Sequence, residues 1–254
     1  MSLTTIPARY TICDVPVDAY TQQGLLDRFM ELSAPGERGN YACYVNAHVH
    51  NLARQDHELR RILEHASVCY ADGASVVWAC RQHGLKIGPR LTAADFLPDF
   101  LRRFAAESRR VYLLGGKPGV AEEAVARLQE TVPQFEPVGM QHGYFGDRDH
   151  ARVFQEIRDA RPDILIVGMG TPRQERWLDR NRESLDIPLI WAVGALLDYC
   201  AGEEPRCPTW MGDRGLEWLY RLLVNPRHMS RRYLVGNPQF VWNVVRSSYR
   251  NKPR

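Results

Sequence analysis

The segment DILIVGMGTPRQE, residues 163–175, joins an apolar run to two glycines, a proline and a polar stretch. A short apolar run bounded by glycine predicts a buried strand, and a proline near the start of the polar stretch predicts the first turn of a helix. The glycines let a ligand approach the backbone of the turn. The segment therefore predicts a strand, a tight turn and a helix, in that order.

The same order recurs along the chain. The predicted strands are Tyr41–Val45, Ser67–Tyr70, Val111–Leu114, Asp163–Val167 and Pro188–Val193. Segments of helical period lie between them, at His50–His65, Ala74–His83, Ala94–Ser108, Val120–Glu130, Ala151–Ala160 and Gln174–Ser184. This alternation predicts an α/β fold with a Rossmann-like, mostly parallel sheet and flanking helices.

Positive charge is concentrated at the C-terminal end. The 254 residues carry a net charge of +3, whereas residues 205–254 alone carry +8. Aromatic and aliphatic residues alternate with these cations, and Pro226 and Pro238 predict a break into about three short helical pieces. We divide the chain into a core, residues 1–204, and a basic helical appendage, residues 205–254. The appendage suits an anionic membrane surface, and simple packing of its aromatic residues on the core is the alternative.

Several protein classes receive no support from the sequence. The first twenty residues lack the basic and then apolar pattern of a secretory signal, and the longest apolar stretch falls short of the roughly 20 residues of a spanning helix. The six cysteines are scattered, which favours reduced thiols. No HExxH spacing occurs, and no metal site or metal cofactor is expected. A cytoplasmic location is expected, and nucleic acid is the weaker explanation of the basic charge.

Polar residues and glycines follow the predicted strands. In open α/β sheets, ligands bind beyond the carboxyl ends of the strands. The candidate binding residues at these ends are Asn46, Asp72, Gly115, Gly116, Lys117, Gly168, Gly170, Gln174, Glu175 and Asp198. The sequence therefore predicts one ligand site along this edge of the sheet.

Two of the predicted turns suit an anionic ligand. Gly115, Gly116 and Lys117 come between a strand and a helix, an arrangement that directs backbone N–H groups at a diphosphate or ribose, although a purely structural tight turn gives the same pattern. In the second turn, Gln174 is the better ligand contact. Glu175 either faces the ligand or complements the helix dipole.

Asp72 is the candidate general base. It stands between an apolar strand and Gly73, where it either faces the ligand or caps the following helix. A carboxylate can take the proton of an attacking hydroxyl as that hydroxyl adds to a sugar carbon. No second carboxylate is paired with it in the sequence, so glycoside hydrolysis is not indicated. Arginines and backbone amides would neutralise the leaving group.

Taken together, several motifs resemble the WecG/TagA/CpsF family of bacterial glycosyltransferases. The resemblance runs from about residue 41 to residue 240 in consistent order. It rests on the segments ADG (71–73), RLTAADF (90–96), LLGGKPG (113–119), GMGTPRQERW (168–177), VGALLDYCAG (193–202), GLEWLYRL (215–222) and NPRHMSRRYL (225–234).

The resemblance implies an inverting transferase without a metal. It would move glucose, N-acetylmannosamine or its uronic acid from a UDP-sugar to a polyprenyl-diphosphate-linked saccharide, in exopolysaccharide or cell-envelope glycan synthesis, as a peripheral protein on the inner membrane face. Members often form oligomers, so a homo-oligomer is an open expectation. The implied base is Asp72, and the implied donor-site and diphosphate residues are Asn46, Arg90, Asp95, Gln174, Arg221, Arg227 and Arg231, with Arg232 as an alternative to Arg231.

A different class of protein explains some of the same features. A non-catalytic, membrane-tethered nucleotide-binding regulator of polysaccharide assembly would also use the glycine-rich turns and the basic appendage. It gives no reason for Asp72, Arg90 and Gln174 to occur together.

Overall fold

The computed structural model describes residues 7–250 of the chain. Residues 1–6 of the predicted core and residues 251–254 of the predicted appendage lie outside the described residues. The basic residues Lys252 and Arg254 are among them. The strands are β1 (Arg9–Ile12), β2 (Val15–Asp18), β3 (Asn40–Val45), β4 (Val68–Ala71), β5 (Val111–Gly115), β6 (Gly139–Gln141), β7 (Ile164–Gly168) and β8 (Leu189–Ala192).

Helices flank these strands. In the core they are α1 (Gln22–Leu32), α2 (Ala47–Gln55), α3 (His57–His65), α4 (Ala74–Gln82), α5 (Ala93–Ala106), α6 (Val120–Thr131), α7 (Asp147–Ala160), α8 (Arg173–Leu185) and α9 (Leu196–Ala201). In the appendage they are α10 (Thr209–Asp213), α11 (Glu217–Val224), α12 (Pro226–Ser230) and α13 (Gly236–Arg250), with a π turn at Arg231–Val235.

The strands of the described chain form one sheet in the order β1-β2-β4-β3-β8-β7-β5-β6. Only the β1–β2 hairpin is antiparallel, so the predicted α/β fold with a mostly parallel sheet is confirmed. β3 pairs with both β4 and β8, which brings the carboxyl ends of these three strands together. Most of their residues are apolar and buried on both faces, as expected of parallel strands covered by helices.

Helices cover the two faces of the sheet with separate apolar clusters. On one face, the buried ring of Trp191 packs against Phe29, Phe96 and Phe100, with ring centroids 5.0 to 5.9 Å apart. On the other face, the helices α2, α3 and α4 pack on β3 and β4. The sheet is thus held rigidly, and its strand ends are fixed in position.

The predicted helix His50–His65 is two helices in the structure. Asp56 adopts extended backbone angles between α2 and α3, and its carboxylate accepts a hydrogen bond from the N–H of Leu59 at 3.0 Å. An aspartate at this position caps the second helix, and it competes with continuation of the first. The apolar periodicity spans both helices and therefore did not reveal the break.

The appendage is more continuous than its prolines predict. Pro226 begins α12 as expected, but Pro238 lies in the first turn of α13 without breaking it. The preceding π turn bonds five residues back, from the N–H of Gly236 to the carbonyl of Arg231. Because that wider turn does not use the regular bonding pattern, the missing N–H of proline is tolerated there.

Helix α13 packs on the core. Phe240 and Val244 are 2% and 0% exposed, and the ring of Phe240 meets the ring of His50 edge-on at 4.9 Å. The side chain of Asn51 donates a hydrogen bond to the carbonyl of Gly236 at 2.7 Å. Within residues 7–250, no helix is long and apolar enough to cross a membrane.

Candidate functional site

A cleft of about 190 Å³ opens at the carboxyl ends of β3, β4 and β8. We call it the strand-end cleft. The core contributes one wall, and the appendage contributes the other through α11 and the π turn. Its charged and polar lining residues are Asn46, His48, Asp72, Ser75, Arg90, Thr92, Glu217, Arg221, Arg232 and Asn237. Aromatic and aliphatic side chains form much of the remainder, among them Tyr44, Tyr70, Tyr199, Trp218 and Tyr233.

Asn46 positions Asp72 within the cleft. Asn46 is the N-cap of α2, and its Oδ1 accepts hydrogen bonds from the backbone N–H groups of His48 and Val49, both at 3.1 Å. This fixes the amide, because both lone pairs of Oδ1 are used. Its Nδ2 then donates to Oδ2 of Asp72 at 3.1 Å. Capping therefore orients Asn46, and Asn46 orients the carboxylate.

Asp72 itself is not a helix cap. The N-cap of α4 is the next residue, Gly73, which has a φ of 90° and no side-chain hydrogen bond to the helix. Burial raises the pKa of Asp72 to about 6, and the charge of Glu217 adds to this; the bond from Asn46 and the charges of Arg221 and Arg232 lower it. A carboxyl group that titrates close to neutrality is suited to accept a proton.

The cleft holds three arginines in different environments. Arg90 forms an ion pair with Asp95 at 3.2 Å and donates a hydrogen bond to the hydroxyl of Thr92 at 2.7 Å. Arg221 pairs with Glu217. Arg232 has no acidic partner among the described side chains, and its Nε is buried without a hydrogen-bond acceptor there. A partly buried guanidinium group without an acidic partner in a cleft is suited to bind an anionic ligand.

The structure distinguishes the neighbouring arginines of the appendage. Arg232 lines the cleft, whereas Arg227 and Arg231 are exposed and do not line it. Asp95 also stands outside the lining, where it pairs with both Arg90 and Arg206. The catalytic roles predicted for Arg227 and Arg231 stay predictions.

The glycine-rich turns lie outside the strand-end cleft. The N–H of Gly116 donates to the carbonyl of Gly168 at 3.1 Å, so it is used within the protein. A Cβ atom added to Gly115 would lie 2.4 Å from that same carbonyl oxygen. The close packing of β5 and β7 therefore requires glycine at this position. This favours the structural explanation of the turn. Ligand contact by Lys117, Gly170 and Asp198, which also lie outside the cleft lining, is still a prediction.

Gln174 and Glu175 are fully buried, at 0% exposure. Oε1 of Gln174 accepts a hydrogen bond from the N–H of Gly194 at 3.0 Å, and its Nε2 donates to Oε1 of Glu175 at 2.8 Å. Thr171 donates to the same carboxylate at 2.8 Å and lies 3.3 Å from the hydroxyl of Tyr44. Burial raises the pKa of Glu175. This buried network contacts Tyr44, which lines the cleft, and so supports that wall of the cleft.

The fold brings in cleft residues that the sequence did not single out. Glu217 and Trp218 come from α11, which approaches the strand ends only in the folded chain. Tyr199 comes from α9, which follows the end of β8 directly. Glu217 stands four residues before Arg221, a helical spacing that predicts a pair. His48 is another cleft residue, and burial, reinforced by the charge of Arg232, lowers its pKa to about 4. Its imidazole is therefore neutral at physiological pH.

The described residues contain no group of three or more His, Cys, Asp or Glu side chains that could hold a metal ion. The fold and the cleft define an α/β protein with a carboxylate and several arginines at the carboxyl ends of its parallel strands, a place where enzymes of this architecture bind ligands. The family model for the Glycosyl transferase WecG/TagA/CpsF family matches residues 10–254. The chain therefore belongs to this glycosyltransferase family.

Proposed function

We propose that the protein is an inverting glycosyltransferase. It moves glucose, N-acetylmannosamine or its uronic acid from a UDP-sugar to a polyprenyl-diphosphate-linked saccharide, in bacterial exopolysaccharide or cell-envelope glycan synthesis. The observation that carries the proposal is the carboxylate of Asp72, held by Asn46 in a cleft that also contains Arg221 and Arg232. Membership of the glycosyltransferase family supports the class of reaction.

In the proposed reaction, Asp72 takes the proton of the acceptor hydroxyl as its oxygen attacks the anomeric carbon. The new carbon–oxygen bond forms on the face opposite the departing UDP, so the configuration inverts. The bond between the anomeric carbon and the phosphate oxygen breaks, and UDP leaves with the electron pair. Arg221 and Arg232 stabilise the negative charge that develops on its diphosphate. Since these cations balance the charge, we propose no metal cofactor.

The direct test measures UDP release from UDP-glucose, UDP-N-acetylmannosamine and UDP-N-acetylmannosaminuronic acid, with and without a polyprenyl-diphosphate-linked sugar. We expect release that depends on the acceptor with one of these donors, a product of inverted anomeric configuration by NMR, and no loss of rate on addition of EDTA. UDP binding with no release from any donor would instead favour the non-catalytic regulator.

We also propose that the appendage lies on the inner face of the cell membrane. Large apolar side chains of the appendage are exposed, at 60% for Leu234 and 65% for Trp242. The exposed arginines Arg227, Arg231 and Arg246 lie on the same segment. Exposed tryptophan and leucine beside cations suit the interface of an anionic membrane.

The double substitution Leu234→Ser and Trp242→Ser tests this membrane contact. We expect at least about a tenfold loss of binding to vesicles containing anionic lipid, because two large apolar groups no longer enter the interface. Flotation or cosedimentation measures the binding. Tyr144→Ser is the matched control, since Tyr144 is 62% exposed and lies outside the appendage. Equal binding by the double variant and the wild type would remove these side chains from the membrane contact, and binding to RNA or DNA would point to another partner.

A further inference from the structure

Glu217 and Arg221 form an ion pair inside the strand-end cleft. Oε1 of Glu217 lies 2.8 Å from an Nη of Arg221, one helical turn apart on α11. The two side chains are 31% and 19% exposed, so this pair is better shielded from water than a surface pair. Both line the same cleft as Asp72. The carboxylate thus holds one end of a guanidinium that the proposed reaction uses.

An aromatic ring from another helix packs against the face of the same guanidinium group. The Arg221 guanidinium lies over the ring of Tyr199, with its central carbon 4.9 Å from the ring centroid. Tyr199 belongs to α9 in the core, whereas Arg221 belongs to α11 in the appendage. A planar cation that packs against an aromatic face and forms an ion pair at one end is restricted both in its plane and in its rotation within that plane.

The guanidinium keeps further N–H groups for a ligand. Arginine has five N–H donors in a planar fork, and a single carboxylate oxygen uses one end of it. The remaining donors are oriented by the same two contacts, which lowers the entropy lost when a phosphate binds. Arg232 differs, because the described residues give it no acidic partner. Arg221 is thus oriented before the ligand arrives.

We propose that Glu217 is a positioning residue for sugar transfer: together with the ring of Tyr199, it fixes the Arg221 guanidinium in the cleft so that its remaining N–H groups receive the diphosphate of the substrate. This inference rests on the proposed function for its substrate, but it also predicts UDP binding in the absence of turnover. Nothing in the positioning step forms or breaks a covalent bond.

The charge of Glu217 also acts on Asp72. The charged and titratable groups that line the cleft with Asp72 are Glu217, Arg221, Arg232 and Tyr233 from the appendage, with Tyr44, Tyr70, His48, Arg90 and Tyr199 from the core. Of these, Glu217 raises the pKa of Asp72, while Arg221 and Arg232 lower it. Removing the charge of Glu217 should therefore let Asp72 lose its proton at a lower pH.

Two variants separate orientation from charge. Glu217→Ala removes the ion-pair partner of Arg221, so we expect UDP to bind about tenfold more weakly and kcat/KM to fall by at least as much. Glu217→Gln keeps an oxygen acceptor but removes the charge. It should bind UDP more nearly like the wild type, while the acid limb of its kcat/KM profile moves to lower pH. Calorimetry measures the binding, and initial rates between pH 5 and 9 measure the profile.

The double variant Glu217→Ala with Arg221→Met shows whether Glu217 acts through Arg221. If it does, the double variant binds UDP no more weakly than Arg221→Met alone. A purely structural role would make the two losses add. Glu123→Gln is the matched control, because Glu123 pairs with Arg127 over the same spacing on α6, outside the cleft. We expect it to leave UDP binding and the pH profile unchanged.

The outcomes also separate this inference from the proposed function. Weaker UDP binding by Glu217→Ala, with non-additive losses, supports the positioning role even if no donor is turned over. UDP binding within twofold of the wild type, or additive losses, overturns it even if the wild type is an active transferase. If Glu217→Ala fails to fold, UDP binding by Glu217→Asp, which retains the charge but shortens the side chain, decides in the same way.

Discussion

Replacement of Asp72 by Asn should lower kcat by about 10²- to 10⁴-fold, the range associated with loss of a general base. Asparagine has nearly the same shape and can still accept the hydrogen bond from Asn46, so the cleft keeps its geometry. It cannot take a proton from the acceptor hydroxyl. UDP-sugar binding should therefore survive while transfer is lost, which calorimetry and UDP release measure separately.

The wild-type enzyme should show a matching pH dependence. Since the pKa of Asp72 lies at about 6, kcat/KM should fall about tenfold for each pH unit below that value as the base becomes protonated. Above pH 6 this limb should level off. Asp72→Asn should lack the limb in any residual activity. Retained turnover by this variant would remove Asp72 from the proposed mechanism.

The same substitution should stabilise the protein at alkaline pH. The pKa of Asp72 is about 6 in the folded chain and about 3.9 for an aspartate in an unfolded chain. The folded state keeps its proton where the unfolded chain has released it, so Asp72 costs stability as pH rises from about 4 to about 6. Asparagine avoids this cost, which is about 2 to 3 kcal/mol. Thermal unfolding at pH 8 should show a higher Tm for the variant, and the gain should disappear near pH 4.

Replacement of Arg232 by Met should reduce kcat/KM by about 10²- to 10³-fold, the loss typical when one donor to a developing negative charge is removed. Arg232 lines the cleft and has no acidic partner among the described residues, so methionine leaves no unpaired carboxylate behind. Methionine also preserves much of the length of the side chain. The loss should therefore report missing charge stabilisation.

Arg231→Met is the matched control for this substitution. Arg231 is adjacent, carries the same charge and is exposed outside the cleft. With a soluble acceptor, we expect its kcat/KM to stay within about threefold of wild type, because exposed charges contribute little to a screened site. With vesicle-bound acceptor a larger effect of Arg231→Met would indicate lipid contact. Equal losses for the two variants in soluble assays would contradict the assignment of Arg232 to the cleft.

Point substitutions test the appendage better than deletion does. Phe240 and Val244 are buried against the core, so a chain ending near Gly202 would expose the apolar surface that they cover. Loss of activity on truncation would then mix lost packing with lost chemistry.

The sequence located most strands because they are short apolar runs bounded by glycine, proline or asparagine. It missed β1, β2, β6, α1 and α9, although the buried residues of α1 recur at a helical spacing. It also predicted Asn46, Asp72, Arg90 and Arg221, which do line the cleft, although their roles are untested. It grouped Gly116 and Gln174 with these residues, since both follow strands in the same way. Hydrogen bonds to Gly168 and Gly194 give these two residues places within the protein framework.

Local composition was thus sufficient to determine the alternating strands and helices, the polar strand ends and the basic appendage, because each depends on residues close together in the chain. The tertiary structure decided which strand ends share a cleft, through the pairing of β3 with β4 and β8. It also decided that Glu217, Arg221 and Arg232 complete that cleft. Their distance from Asp72 depends on burial of Phe240 and Val244 against the core, a contact between segments almost 200 residues apart that no local pattern encodes.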